Sequence, residues 1–289
     1  MSNESSEFFY FYWTNVLHIV GLQYPGGEPM KLGLFLTLAC VAAIISMSVH
    51  TEMTHAQSIE DGLGGHWTFD KRDTDAKLAK DALGENDGEI KGAPKIVEGI
   101  VGDALSFNGE EDYVVMGAAT TGQDLTYAMW IKPVALPAGP KVIIWDDDPQ
   151  GGGDSWLELL ADGTIQTQRG GDGFGVFKTE TPIKADEWTH ITFVAAGADE
   201  KKFLYLNGEL DAEADGKINS RDTRSHVVVA VGHDRNAFIK PFYFEGEIDD
   251  VAVYHRALDK KEVMENYQIA FDVEPAGKLA LTWGAIKTR

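Results

Sequence analysis

The chain has almost no cysteine, little positive charge and no long helical period, and each lack excludes something. Its single cysteine, Cys40, lies in an N-terminal apolar stretch. The rest of the chain therefore has no disulfide of its own, no cysteine-ligated zinc and no thiol nucleophile. With 289 residues the chain can bury a sufficient core without disulfides, so their lack does not argue against export. The formal net charge is −21, and −18 remains once residues 1–56 are set aside. Such a surface repels nucleic acid, and no basic cluster or RNA-binding aromatic motif offsets it. Between residues 60 and 255 nothing sustains a 3.6-residue apolar period. The chain also lacks a Gly-x-Ser-x-Gly elbow, a His-Glu-x-x-His pair and a phosphate loop.

What is present is a succession of short alternating segments separated by Gly, Asp, Asn and Pro, with 31 glycines to supply turns. Lys202 to Leu210 alternates and turns at Asn207-Gly208, a strong hairpin signal. Val227 to Val231 is a continuous apolar run, as expected of a strand buried on both faces. Tyr243 to Val263 (YFEGEIDDVAVYHRALDKKEV) predicts a strand, a corner and a short helix. Asp259 is the expected N-cap, and Glu262 completes a capping box.

That closing segment resembles the end of the laminin-G-like, concanavalin A-like jelly-roll domains of secreted bacterial proteins. Further pieces follow in the family's order. Gly65 to Asp70 (GHWTFD) is similar to its opening strand, and Asp81 to Gly88 (DALGENDG) to its first loop. Gly102 to Gly109, Thr126 to Pro133, Glu187 to Val194 and Leu204 to Glu209 resemble later strands and a hairpin. The resemblance covers roughly residues 62–267. It implies an all-β fold, an antiparallel two-sheet jelly-roll sandwich of concanavalin A-like type, with a short helix after the closing strand. It also implies glycan or extracellular-protein binding, often with calcium.

Outside that region the chain divides further. Leu32 to Val49 is uncharged, follows Met30-Lys31 and precedes Thr54-His55-Ala56. Residues 30–56 are thus expected to be a signal peptide cut before Gln57, or else an N-terminal membrane anchor. Lipid attachment at Cys40 is a weaker third reading, because the apolar run continues past it. Residues 1–29, with the aromatic Phe8 to Trp13, fit an upstream or mis-called extension. The sandwich is assigned to 57–270 and a C-terminal tail to 271–289. The expected location is secreted or cell-surface, with membrane contact only through an uncleaved N-terminal segment.

Two constellations could carry chemistry. Trp145 to Trp156 (WDDDPQGGGDSW) sets Asp146, Asp147, Asp148 and Asp154 on a Gly-rich loop between two tryptophans. Aromatic faces stack on sugar C–H surfaces and carboxylates accept hydroxyl hydrogens. Trp145, Asp147, Trp156, Arg169 and His233 are therefore the candidate ligand-binding residues. For Trp156 the neighbouring Leu157, Leu159 and Leu160 favour an inward side chain. The second constellation is implied by the family resemblance: calcium joining the first and last strands through Asp70, Asn108, Asp249 and Asp250. An Asp-Asp pair in an apolar strand needs compensation, which a cation would give. The alternative is solvent exposure or local N–H bonds.

Catalysis is weighed against both. Hydrolases of this fold set Glu, Asp and Glu at alternate strand positions. Glu245, Glu247 and Asp249 alternate here, but Val251 stands where the third acid of the Glu247–Asp249 pattern belongs. His190, inside an apolar strand, is expected to be a satisfied core residue. The reading is a non-catalytic glycan- or protein-binding module. The alternatives are a glycoside hydrolase on the same fold and a surface adhesion module.

Overall fold

The computed structural model describes residues 61–117, 122–147, 155–169, 176–216, 218, 226–230 and 242–272. All lie in one compact unit that runs from His55 to the C-terminus. The candidate leader, the tail from 273 onward and His233 fall outside the described residues, as do the side chains of Asp147 and Arg169.

Sixteen strands and one helix are described: β1 (Leu63–Trp67), β2 (Leu78–Ala79), β3 (Gly88–Lys91), β4 (Lys95–Glu98), β5 (Asp103–Asn108), β6 (Tyr113–Met116), β7 (Leu125–Pro133), β8 (Lys141–Asp147), β9 (Ser155–Leu159), β10 (Ile165–Arg169), β11 (Phe177–Lys178), β12 (Thr189–Ala196), β13 (Lys201–Leu206), β14 (Glu209–Asp215), β15 (His226–Val229), β16 (Glu245–Tyr254) and α1 (Lys260–Asp272). They form two antiparallel sheets, as the alternating segments predict. One is ordered β14-β13-β12-β7-β16-β5-β4, with β1 also on β16. The other is ordered β11-β10-β9-β8-β15-β6-β3-β2.

Alternation builds the core between them. Leu105, Phe107, Tyr127, Met129, Ile131, Phe193, Ile248, Val251 and Val253 come from the first sheet, and Val114, Met116, Ile144, Leu157, Leu159, Val227 and Val229 from the second. Each such side chain removed from water contributes roughly 1.5–3 kcal/mol. A second, smaller core lies on the outer face of the first sheet, where Val263 of α1 joins Ala128, Val194, Tyr205, Ala252 and Tyr254. The capping box forms as expected: Glu262 N donates to Asp259 Oδ1 (2.9 Å) and Asp259 N to Glu262 Oε2 (2.8 Å). The Asn207-Gly208 hairpin is also present. Both residues have positive φ, 52° and 79°, the type I′ geometry that suits strand twist.

β16 organises the first sheet. One edge pairs with β7 along the strand, with a register break between Asp249 and Ala252. The other edge pairs with β5 over Glu245–Ile248 and with β1 over Val251–Tyr254. Asp249 and Asp250 thus stand at a fork between two ladders, and Asp250 has φ 53°, the strained geometry of a bulge.

Candidate functional site

The outer face of the second sheet is built by strand register. In β9, Ser155, Leu157 and Leu159 are buried while Trp156 and Glu158 are half-buried on the opposite face. Trp156 therefore does not point into the core, contrary to the expectation from its leucine neighbours. The period of two overrides local composition, because the leucines and Trp156 occupy alternate positions. Across β8, Trp145 pairs with Trp156, and on the next strand Val228 pairs with Trp145. Val115 of β6 and Glu89 of β3 continue this row. The two indoles stack with centroids 5.2 Å apart and an interplanar angle of 10°. The indole N–H of Trp145 is buried and has no hydrogen-bond acceptor among the described residues.

Beside this pair lies a polar couple that the sequence did not single out. Gln166 of β10 is opposite Glu158 and donates from Nε2 to Glu158 Oε1 at 2.6 Å. Burial pushes the Glu158 carboxyl above its usual value, against hydrogen bonds from Gln166 and Trp156 that favour the ionised form. Tyr113 and Tyr243 add a further aromatic contact, at 6.3 Å, near the other end of the sheet. The signal for Glu158 was its position two residues from Trp156, on the same face.

The other candidates fall as follows. The backbone of Asp147 pairs with His226, and that of Arg169 with Ser155, at the same end of the sheet as the tryptophans. Asp146 faces the core instead, where it is fully buried and accepts the Tyr127 hydroxyl at 2.6 Å.

At the fork in β16 each aspartate has its own partners. Asp249 Oδ2 accepts the amides of Ile100 (2.9 Å) and Val101 (3.0 Å) from the β4–β5 turn. That turn needs Gly99, since a Cβ there would lie 2.5 Å from Asp249 Oδ2. Asp249 Oδ1 is buried and has no hydrogen-bond partner among the described residues. Burial, then the charge of Asp250, pushes the Asp249 carboxyl up to about 9, so it holds a proton at neutral pH. Asp250 Oδ1 lies 2.5 Å from His66 Nε2 of β1. Burial opposes both charges, yet the pair prevails: His66 is raised and Asp250 lowered. Asp70 lies just beyond β1, not on it as the resemblance implied. It accepts the Asp103 amide (2.9 Å) and pairs with Arg72 (3.2 Å). Burial still leaves its carboxyl raised. Asn108 Oδ1 caps its own turn, accepting amides from Glu110, Glu111 and Asp112.

Among the described residues no group of three or more His, Cys, Asp or Glu side chains is set to hold a metal. The orphaned Asp249 Oδ1, with Asp70 electrostatically coupled to it, is the feature that suits a cation. Of the hydrolase candidates, Glu247 is held by Lys132 at 2.6 Å, and Val251 is in the core. His190 is a buried core residue, as expected. Its ring packs against Trp130 and Tyr267, and burial lowers its pKa to about 4.

Two jelly-roll sheets with a closing strand–helix unit define a laminin-G-like β-sandwich. The family model described as "Concanavalin A-like lectin/glucanases superfamily" matches residues 108–264, more than half of the chain, and the chain belongs to that family. No curated protein matches it. Among solved structures it is similar to domain 4 of AbnA, a GH43 extracellular arabinanase from Geobacillus stearothermophilus in complex with arabinotriose. There identity is 20%, TM-score 0.53, and coverage 71% of this chain and 98% of that domain. The binding domain of Paraclostridial Mosquitocidal Protein 1 shares 17% identity at TM-score 0.58, over 74% of this chain and 53% of that one. Trypanosoma rangeli sialidase shares 16% identity at TM-score 0.53, over 71% of this chain and only 32% of the sialidase chain. At these identities the likeness is one of fold.

Proposed function

We propose that the protein is a non-catalytic glycan-binding module acting outside the cytoplasm, and that its binding surface is the outer face of the second sheet. The observation that carries this is the stacked Trp145–Trp156 pair on that face, with Glu158 and Gln166 beside it. Aromatic surface next to fixed polar groups is the chemistry that recognises sugar rings. A domain of the same fold in an arabinanase is known in complex with arabinotriose, which supports the reading. The uncharged Leu32–Val49 segment after Lys31 supports export. The non-catalytic half is supported by the commitments of the acidic residues in β16, Glu247 to Lys132 and Asp249 to backbone amides. Calcium bound between Asp70 and Asp249 Oδ1, which has no partner among the described residues, is proposed as a stabiliser; Asp250 and Asn108 are committed elsewhere.

The test is a glycan array probed with the full chain and with the Trp145→Ala/Trp156→Ala variant. At least one glycan should bind the native chain, and the double variant should lose at least tenfold in affinity. Equal binding by a folded double variant would place the site elsewhere. Absence of binding to every glycan would overturn the function.

A further inference from the structure

We infer that Glu158 makes this face select uncharged, hydroxyl-rich sugars and reject carboxylated ones such as uronic and sialic acids. The inference rests on the glycan-binding reading above and names the ligand class for it.

Glu158 is placed by register on the same face as Trp156, two residues along β9, with Val142 opposite on β8 and Gln166 opposite on β10. Its carboxylate is oriented by the Gln166 amide at 2.6 Å and by the Trp156 indole. An ionised carboxylate is acceptor-only, with about four lone-pair positions on its two oxygens. Two donors leave acceptor capacity unfilled, and the Gln166 amide keeps a second N–H and its carbonyl. Together they offer both donors and acceptors to hydroxyl groups, which are themselves both.

The carboxylate of a uronic or sialic acid, set in the same place, brings only acceptors and a like charge. Like charges set close together on a partly dehydrated face strongly disfavour one another. Among the described side chains, the nearby cations do not reverse this. Lys178, opposite Gln166 on β11, gives its ammonium to Asp162 at 2.7 Å. Lys91, farther along the sheet, is bonded to Glu89. Lys141 is opposite Leu159, so Glu158 stands between it and the tryptophans. The chain's net charge of −21 adds repulsion at long range.

The experiment is one array carrying neutral oligosaccharides (arabino-, xylo-, cello- and manno-) beside uronic-acid and sialylated ones. It is probed with the full native chain, with Glu158→Gln and with Asp162→Ala. Glu158→Gln keeps the shape and removes the charge. Asp162→Ala frees the Lys178 ammonium while leaving Glu158 intact. The native chain should bind within the neutral set and none of the anionic set. Glu158→Gln should raise the ratio of anionic to neutral binding at least tenfold, and Asp162→Ala should raise it severalfold. A native chain that binds an anionic glycan as tightly as any neutral one would overturn the inference, leaving the glycan-binding reading in place. So would an unchanged ratio in both variants. Binding to neither set would overturn the reading beneath it and the inference together.

Discussion

His66 Nε2 lies 2.5 Å from Asp250 Oδ1, joining the first described strand to the last across 184 residues of sequence. The contact sits where β16 passes from the β5 ladder to the β1 ladder, so it fastens β1 at the point where the sheet divides. Both groups are largely shielded from water, with side-chain exposures of 3% and 19%. Removing one partner of a buried pair leaves the other charge uncompensated, at roughly 3–5 kcal/mol. Asp250→Ala should therefore lower stability by about 3 kcal/mol in denaturant titrations. The His66→Ala/Asp250→Ala variant should lose clearly less than the two single losses combined. Strictly additive losses would show that the pair is not a unit.

The same pair has a defined pH window. His66 is raised, so its contribution is complete below the ordinary histidine value, about 6.5, and is lost as pH rises through its folded value. Asp250 is lowered, so its contribution is complete above the ordinary aspartate value, about 3.9, and is lost as pH falls through its folded value. The stability difference between the native chain and Asp250→Ala should be largest at about pH 4–6.5. A difference that keeps growing above pH 8 would contradict this assignment.

Asp249 acts in the opposite sense to an ordinary surface carboxylate. Its folded value is pushed up to about 9, while the unfolded chain releases that proton near 4. Between these limits the folded state binds the extra proton, so stability falls as pH rises. His66 contributes a fall in the alkaline part of the same range, and a variant separates the two. Asp249→Asn should flatten the decline in melting temperature between pH 5 and 9 while leaving the part due to His66. A decline as steep in Asp249→Asn as in the native chain would show that Asp249 is not the group responsible.

Calcium would change that behaviour. A cation between Asp70 and Asp249 would stabilise the ionised carboxylates and bind only the folded chain. At a hundredfold excess over Kd this adds roughly 2.7 kcal/mol. Melting curves with calcium and with a chelator should separate at pH 7, and Asp249→Asn should close the gap. Superimposed curves for the native chain would exclude the site.

Strand identity, the hairpin at Asn207-Gly208 and the helix cap at Asp259 were legible in the sequence because each rests on residues close in the chain. The binding face was legible only in part. Trp145 and Trp156 were visible as a loop-flanking pair, but the direction of Trp156 depends on which of two alternating faces meets the other sheet. Local leucines pointed the wrong way. Glu158 and Gln166 come from neighbouring strands across a turn, and only register brings them together. The Asp249-Asp250 pair was recognised as needing compensation. Its protein partners, His66 and the Ile100 and Val101 amides, lie about 150 to 180 positions away in sequence and become visible only with the topology of β16.

The buried N–H of Trp145 allows stability and recognition to be separated. It has no acceptor within the described protein, and an unmet buried donor costs about 1–3 kcal/mol. Trp145→Phe keeps an aromatic ring against Trp156 while removing that donor. The loss of ring area offsets the gain, so the melting temperature should shift little. That N–H has almost no surface open to a ligand, so a sugar meets the ring faces instead, and affinity should change by less than about twofold. Trp156→Phe serves as the comparison. Its indole is already engaged with Glu158, so the substitution removes an internal bond and should cost stability as well. Isothermal titration with the tightest glycan from the array, together with melting curves, measures both. Native-like binding by Trp145→Phe is the result expected if the stacked pair recognises sugar through its ring surfaces; a loss of about fivefold or more at an unchanged melting temperature would show that the N–H reaches the ligand.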